Sequence, residues 1–309
     1  MHTLSSTHWR LWLDPAQGVS WQGLEARHDD QWMHVMPDCR NSDTPGPATG
    51  LLAASSFVML PYSNRIRDGR FSFADKSVQL EEADTHAIHG ALRKQSWEIT
   101  HASDTRLTCR FDSRAHAAAG LPPINWPWPI DATIDHVLKG RRLISELSLT
   151  NRGQNPMPAG LGWHPYFLRE INGSSPKLTV PVSGVFPDTN GDCLPVGSAA
   201  PLPAHLDFRT EQSLLPDQPI DNCFSGLDGN IRIRWPKPTK GSVLGLTMRT
   251  SPICRFAVLY NPDKPFFAVE PVSNANDAFN LDTRGIDAGL HVLEKNGTLR
   301  ATMMLDLDS

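Results

Sequence analysis

Proline and glycine occur along the whole chain of 309 residues, and they restrict its fold more than any other feature. The 26 prolines and 22 glycines divide the sequence into short segments. Proline removes a backbone donor and glycine favours turns, so this pattern is typical of short strands joined by turns. No stretch with helical periodicity is long enough for alternating strands and helices. We therefore predict an all-β protein built of antiparallel strands.

Two segments have the pattern of β-hairpins. Residues 132–150 form two partly alternating runs around Lys139-Gly140. Residues 291–307 repeat this form around Asn296-Gly297, which is a favoured type I′ turn pair. Further strands are predicted at residues 106–111, 178–182, 231–235, 243–249, 256–260 and 266–272.

The chain shows no internal repeat of fixed period and no low-complexity linker, so we expect residues 1–309 to form one domain. The stretch 181–219 is rich in Gly, Pro, Asp and Ser and is long for a connection inside a domain. Long loops often form a wall of a binding cleft.

Charge and hydropathy exclude several classes of protein. The net charge is −4 and the basic residues are scattered, which argues against a nucleic-acid groove. No apolar run approaches the roughly 20 residues that cross a bilayer, and the start of the chain lacks the pattern of a secretory signal. We therefore expect a cytoplasmic protein without membrane or nucleic-acid partners. The five cysteines are odd in number and widely spaced, as expected for unpaired thiols in a reducing compartment.

Glu270 is the most unusual residue because it interrupts an apolar strand, Phe266–Val272. A carboxylate there costs several kcal/mol unless it is paired or takes part in chemistry. Removal from water should raise its pKa above the ordinary value of about 4.3, which would make it a stronger base.

His164 lies in the segment GWHPYF, between Trp163 and Pro165. Aromatic rings beside a titratable group suit sugars, whose C–H faces pack on rings while their hydroxyls need donors and acceptors. Imidazole can give and take a proton near neutral pH. The alternative is a structural histidine among core aromatics, which these residues alone slightly favour.

Arg65 follows Asn64 where the apolar run 57–60 ends. Its guanidinium could hold several hydroxyls or a carboxylate. The alternative is a surface ion pair with Asp68, and the residues alone do not decide between the two.

His89 and Asp221 are weaker candidates. The pair His86 and His89 has no third metal ligand at a suitable spacing, so we interpret His89 as a neutral donor to a sugar hydroxyl, with Gly90 allowing close approach. For an isolated pair of this kind a structural role is the simpler interpretation. Asp221 precedes an Asn, which is also a common turn pattern.

Taken together and in this order, five segments resemble the aldose 1-epimerase (galactose mutarotase) family: PYSNRIRDGRF, HAIHG, GWHPYF, PIDNCF and FAVEPVSNANDAFNL. The C-terminal GIDAGLHVLEKNGTLRATMML is similar as well. The similarity extends from about Leu11 to the end of the chain. Each motif is moderately specific, and five in family order are strongly specific.

The resemblance implies a galactose mutarotase-like β-supersandwich that interconverts the α and β anomers of a free aldose such as galactose or glucose. It assigns the catalytic acid to His164 and the catalytic base to Glu270, without a metal or another cofactor. It assigns sugar binding to Asn64, Arg65, His89 and Asp221. The expected partner is a small monosaccharide, and the expected state is a monomer or homodimer.

Some features depart from the family pattern and leave the substrate open. The residues after Glu270 differ from the best-known galactose mutarotases, and the segment Asn125–Pro129 has no counterpart. Arg67, Arg70 and Arg93 could hold the phosphate of a hexose 6-phosphate. The motif HPYF, however, favours the branch of the family that acts on unphosphorylated sugars. The alternatives are a hexose-6-phosphate mutarotase, a non-catalytic carbohydrate-binding or sensor protein, and a glycoside hydrolase or polysaccharide lyase on the same fold.

Overall fold

The computed structural model describes residues 1–40, 52–82, 84, 86–236 and 243–308. Regular structure in these ranges is almost all strand, as predicted. The α-helices are short, α1 (Ser113–Ala118) and α2 (Ala278–Asp282), and 3-10 turns occur at Pro15–Gln17, Arg67–Gly69 and Ala204–Leu206. Within the described part, no helix is long and apolar enough to cross a lipid bilayer.

The described strands, in chain order, are β1 (His2–Ser5), β2 (Trp9–Asp14), β3 (Ser20–His28), β4 (Gln31–His34), β5 (Val58–Met59), β6 (Arg70–Phe73), β7 (Lys76–Gln79), β8 (Glu98–Ala102), β9 (Arg106–Asp112), β10 (Ile130–Lys139), β11 (Arg142–Asn151), β12 (Met157–Ala159), β13 (Gly162–Trp163), β14 (Tyr166–Leu168), β15 (Lys177–Thr179), β16 (Gly184–Val185), β17 (Gln212–Ser213), β18 (Ile220–Ser225), β19 (Ile231–Trp235), β20 (Leu244–Thr250), β21 (Phe256–Asn261), β22 (Phe266–Val272), β23 (His291–Leu293) and β24 (Thr298–Leu307).

Two large antiparallel sheets dominate the molecule. One has nine strands in the order β17-β15-β19-β20-β24-β11-β10-β9-β8. The other has seven strands, β16-β18-β21-β22-β13-β5 with β14 paired beside β13 on β22. An N-terminal sheet joins β1 to β4 in sequence order, and the pairs β12-β23 and β6-β7 complete the described sheets.

The two large sheets pack face to face through their apolar side chains. Trp163 of the seven-stranded sheet donates its indole N–H to Ser145 Oγ of the nine-stranded sheet at 2.9 Å. Trp235 of the nine-stranded sheet donates to the Leu168 carbonyl at 3.1 Å. Apolar side chains of these two sheets and of β1 to β3 belong to one buried cluster. This continuous core supports the proposal that the chain forms one domain.

The predicted hairpin at residues 132–150 is confirmed, because β10 and β11 pair directly from Ile130 with Asn151 to Lys139 with Arg142. The hairpin predicted at residues 291–307 is wrong. The turn at Asn296 is present with a positive φ of 61°, but β23 pairs with β12, and β24 pairs with β11 and β20. The ten residues of β24 pair with two long strands, and the three residues of β23 could not provide such extended pairing.

His136 lies on β10 with no exposed surface, and neither ring nitrogen has a hydrogen-bond partner among the described residues. Burial lowers the pKa of His136 from 6.5 to about 3. The unfolded chain therefore binds a proton that the folded chain does not, and stability falls as pH drops from 6.5 towards 3. Between pH 7 and 5 this one group should reduce the free energy of unfolding by about 2 kcal/mol.

In the His136→Leu variant the free energy of unfolding should decrease by about 2 kcal/mol less between pH 7 and pH 5 than in wild type. Urea unfolding at both pH values measures this difference. The matched control is His101→Leu, because His101 is exposed on β8. An equal loss of stability on acidification in wild type and His136→Leu would contradict the assignment.

Candidate active site

One face of the seven-stranded sheet forms the floor of a cavity of about 200 Å3. Asp221 lies opposite Tyr260 across β18 and β21, and Val258 lies opposite Glu270 across β21 and β22. Residues two apart in a strand share a face, so these four side chains point the same way. All four line the cavity.

His164 and Glu270 form a direct contact at this cavity. His164 Nε2 lies 3.1 Å from Glu270 Oε1, and their side chains are 5% and 2% exposed. His164 follows β13, and its backbone N–H donates to the Phe57 carbonyl at 2.9 Å, which fixes where the ring leaves the sheet. The second carboxyl oxygen, Glu270 Oε2, is buried without a partner among the described residues and is therefore available to a bound hydroxyl.

Aromatic side chains hold the His164 ring from several sides. Its ring centre lies 4.4 Å from that of Tyr166 and 4.7 Å from that of Phe57. The His89 ring meets it edge to face at 5.0 Å. The Tyr166 hydroxyl is 3.5 Å from His164 Nε2, at the same nitrogen that faces Glu270. The imidazole is thus confined with Nε2 at the cavity.

Burial moves the pKa values of the pair in opposite directions. It raises the pKa of Glu270 well above the ordinary value, and the nearby Asp221 adds to this shift while Arg65 opposes it. It lowers the pKa of His164 from 6.5 to about 3. Both shifts favour the neutral forms, so the pair holds one proton in total, and the two directions place it on the carboxyl.

Asn64 and Arg65 reach the cavity from the segment after β5. Asn64 Oδ1 accepts the Arg65 backbone N–H at 2.8 Å, and the Ser63 hydroxyl donates to the Asn274 carbonyl at 2.9 Å. The first bond is local to the segment, and the second attaches it to Asn274, which follows β22. Arg65 therefore places a positive charge beside the Glu270 carboxyl, consistent with its lowering effect on that pKa.

His89 lines the same cavity, whereas His86 does not. His86 Nδ1 accepts the backbone N–H of Asp68 at 2.9 Å, which is a structural role. Gly90 has a φ of +77°, and a Cβ there would lie 2.5 Å from the Leu60 carbonyl oxygen. The glycine is thus needed for close approach of the His89 loop to the Leu60 backbone. Desolvation, followed by the charges of His164, Arg93 and Arg65, lowers the pKa of His89 well below the ordinary value.

The structure brings all six candidates from the sequence to one cavity, although they come from five separate segments. Tyr166, Val258 and Tyr260 also line the cavity and were not predicted from the sequence. Tyr260 shares a strand face with Val258, but neither residue was assigned, so strand alternation gave no starting point from which to find it. Tyr166 lies in the segment GWHPYF, two residues from His164, and its place in that motif could have identified it.

The three additional arginines are separated by the fold. Arg67 and Arg70 line a different depression of about 270 Å3. Arg93 lies near the cavity: its Cζ is 5.4 Å from the centre of the Phe57 ring, and its charge lowers the pKa values of His164 and His89. Arg93 itself lines a separate depression of about 160 Å3, and its side chain forms no ion pair or hydrogen bond within the described ranges.

The segment Asn125–Pro129 packs behind the site rather than lining its cavity. Trp126 is 5% exposed, and its ring lies 5.7 Å from those of Tyr62 and Phe71 and 6.0 Å from that of Phe279. These contacts connect the segment before Asn64 with helix α2. The described contacts therefore give Trp126 a packing role beneath the segment that carries Arg65.

Comparisons with known sequences point in one direction. The sequence model of the aldose 1-epimerase family matches residues 45–306 of this chain. The uncharacterised Escherichia coli K12 protein YphB is 30% identical over 257 residues, which cover 80% of this chain and 81% of YphB. These matches confirm the predicted family resemblance.

Solved structures agree with the fold. A candidate aldose 1-epimerase of Escherichia coli K12 has a TM-score of 0.80 at 26% identity, over 99% of this chain and 98% of its own. A galactose mutarotase-like protein of Clostridium acetobutylicum has a TM-score of 0.78 at 17% identity, over 99% of this chain and 94% of its own. The predicted galactose mutarotase-like β-supersandwich is thus confirmed.

Proposed function

The chain belongs to the aldose 1-epimerase family, and we propose that it is a mutarotase that interconverts the α and β anomers of a free aldose. The observation that supports this most directly is the buried contact of 3.1 Å between His164 Nε2 and Glu270 Oε1. A sugar-binding protein without catalysis would not need a desolvated carboxyl, which is costly in an apolar strand. The cavity of about 200 Å3 is smaller than the roughly 300–1,000 Å3 of pockets for drug-sized ligands, which suits one monosaccharide.

The reaction needs one proton removed and one proton supplied. During ring opening the C1 hydroxyl loses its proton to Glu270, the bond from C1 to the ring oxygen breaks, and His164 protonates the ring oxygen. Rotation about the C1–C2 bond presents the other face of the aldehyde. Ring closure then returns both protons by the reverse transfers, so the enzyme is unchanged at the end.

The single proton of the pair fits this cycle. The arrangement with ionised Glu270 and protonated His164 starts ring opening, and the neutral arrangement starts ring closure. The two differ by one proton transfer across the Nε2–Oε1 contact, and burial favours the neutral one. In our proposal Arg65 reduces the difference, because its charge lowers the pKa of Glu270.

Asn64, Arg65, His89 and Asp221 would hold the sugar hydroxyls around the proton-transferring pair. His89 is held neutral by its lowered pKa, so one ring nitrogen can donate while the other accepts. Arg65 offers only donors and Asp221 offers carboxyl oxygens that accept, so this set distinguishes the positions of the hydroxyls. Such orientation adds to the rate by holding the reacting atoms in place.

The pH dependence of the proposed reaction follows from the neutral pair. Activity needs one proton on the pair of His164 and Glu270. At high pH the carboxyl ionises and the pair carries no proton, and at low pH His164 is protonated as well and the pair carries two. We expect the decrease of kcat/KM on acidification to lie well below the ordinary histidine value of about 6.5. Polarimetric initial rates measured from about pH 4 upward, with folding checked by circular dichroism at each pH, test this. An acid limb centred near 6.5 would contradict it.

Arg93 supports a second candidate substrate, a hexose 6-phosphate. Its guanidinium lies over the Phe57 ring and forms no ion pair or hydrogen bond within the described residues, and its charge lowers the pKa of His164. A phosphate would pair with such a cation. A screen of anomer exchange by NMR, across free and 6-phosphorylated aldoses, tests the function and the substrate together. If the enzyme raised the anomer-exchange rate of no sugar above its rate in buffer alone, mutarotase activity would be refuted.

The cytoplasmic location and the monomeric or homodimeric state remain predictions.

A further inference from the structure

Asp277 is a buried acidic residue with no assigned part in the proposed reaction. It is 3% exposed and lies seven residues after Glu270, directly before helix α2. Burial raises the pKa of its carboxyl. Its side chain makes no capping bond to the helix that it precedes. A polar group in such a place needs other partners, and those partners show what it holds.

The partners of Asp277 belong to the segment that carries Arg65. The Asp277 backbone N–H donates to the Arg65 carbonyl at 2.6 Å. Asp277 Oδ1 accepts the Arg67 backbone N–H at 2.9 Å. A single residue thus holds the chain on both sides of Ile66, and the direction in which Arg65 leaves the backbone depends on it. Asn280 supports the carboxyl by donating to Oδ1 at 2.7 Å.

The side chain of Arg67 extends the same network to the long loop. Arg67 Nε lies 3.8 Å from Asp277 Oδ2, and Arg67 Nη1 lies 3.4 Å from Asp192 Oδ2. Asn276, next to Asp277, donates to the Cys193 carbonyl at 2.7 Å. Residues 276 and 277 therefore hold two neighbouring residues of the loop, one directly and one through Arg67.

The held part of the loop lies beside the cavity. The Asp188 carboxylate accepts the backbone N–H groups of Gly191 and Cys193 at 2.9 and 2.8 Å, which makes this turn compact. After desolvation, the nearby charge of Asp221 is the next cause that raises the pKa of the Cys193 thiol. Cys193 thus adjoins a proposed sugar-binding carboxylate.

We propose that Asp277 is a positioning residue that holds Arg65 at the cavity and, through Arg67, holds the loop around Asp192 and Cys193 against Asp221. The part of this proposal that concerns substrate binding rests on the proposed function. The attachment of the loop does not depend on that function. Loss of Asp277 would misplace groups that bind the sugar while His164 and Glu270 keep their own supports.

The kinetic test compares Asp277→Ala, Asp277→Asn and Asp282→Asn. The substrate is the sugar whose anomers the wild-type enzyme exchanges fastest. Asp277→Ala should raise KM about 10-fold with a much smaller change in kcat, because it weakens binding outside the reacting pair. Asp277→Asn should restore most of the affinity, since its amide oxygen can still accept the Arg67 N–H. Asp282 is exposed in the same helix, so Asp282→Asn should match wild type. Because the backbone bond from residue 277 to the Arg65 carbonyl remains in Asp277→Ala, an unchanged KM would overturn the positioning of Arg65 by the Asp277 carboxyl.

Thiol labelling tests the loop without any assay of activity. In a Cys39→Ser background the remaining cysteines other than Cys193 are buried, so the rate of reaction with a thiol reagent reports on Cys193. Asp192→Asn and Asp277→Ala should each raise this rate several-fold, and Asp282→Asn should not. Unchanged rates in both variants would overturn the proposed attachment of the loop. A wild-type protein without mutarotase activity would refute the proposed function alone, because labelling still decides whether the loop is attached.

Discussion

The Glu270→Gln variant should lose about 10³-fold or more of its mutarotase kcat while remaining folded. General acid–base catalysis by one placed group contributes roughly 10²–10⁴-fold, and an amide cannot take the C1 proton. A factor of 10³ corresponds to about 4 kcal/mol in the activation barrier. Because Glu270 is 1% exposed and burial opposes its charge, the neutral amide should also leave stability unchanged or increased.

Polarimetry on freshly dissolved α-anomer, together with thermal unfolding, measures both effects of Glu270→Gln. The matched control is Glu146→Gln, because Glu146 is exposed on β11 and should tolerate the same change in both assays. Wild-type turnover in Glu270→Gln would refute the proposed mechanism. A large loss of stability would instead show that the carboxyl has a structural role.

The His164→Asn variant should lose about 10²-fold or more of kcat. Asparagine has no group that titrates near neutral pH and it leaves the position of Nε2 empty, so the ring oxygen would take its proton from water. The His164→Gln variant sharpens the test, because its longer side chain can reach the Nε2 position and contact Glu270 Oε1. If proton transfer is the role of His164, both variants should be slow.

A different pattern would contradict the role of His164. Recovery of most activity in His164→Gln would show that a hydrogen bond to Glu270 is sufficient. His101→Asn, at an exposed position on β8, is the control and should have wild-type activity. Unfolding curves of all three variants separate lost chemistry from lost packing, since the His164 ring packs on Phe57 and Tyr166.

Local sequence pattern was sufficient where the structural feature is itself local. The strands at residues 231–235 and 266–272 have the predicted bounds, and the hairpin of β10 and β11 forms as expected. Alternation and turn residues act over a few neighbours, so they can be recognised without knowing the rest of the fold. The same reasoning failed for residues 291–307, because the choice between strand partners depends on distant β11 and β20.

The site was predictable in its members but not in its geometry. The six candidates were assigned from a set of motifs in family order. Taken alone, the residues around His164 and His89 favoured a structural role for both histidines. Tyr260 was missed because a tyrosine at the end of an apolar strand has no distinguishing local pattern. Asp277 was missed as well, since its partners Arg65 and Arg67 lie more than 200 residues earlier in the chain.

The sequence by itself determined an all-β chain, its family resemblance and an acidic residue out of place in an apolar strand. Only the tertiary structure decided that Glu270 lies 3.1 Å from His164, that both are buried, and that their pKa values therefore move towards the neutral forms. It also separated Arg93, near the cavity, from Arg67, which holds the loop. The physical reason is that residue type sets which proton a group can carry. Burial and the charges nearby set whether it carries that proton at neutral pH, and these arise only when distant segments pack together.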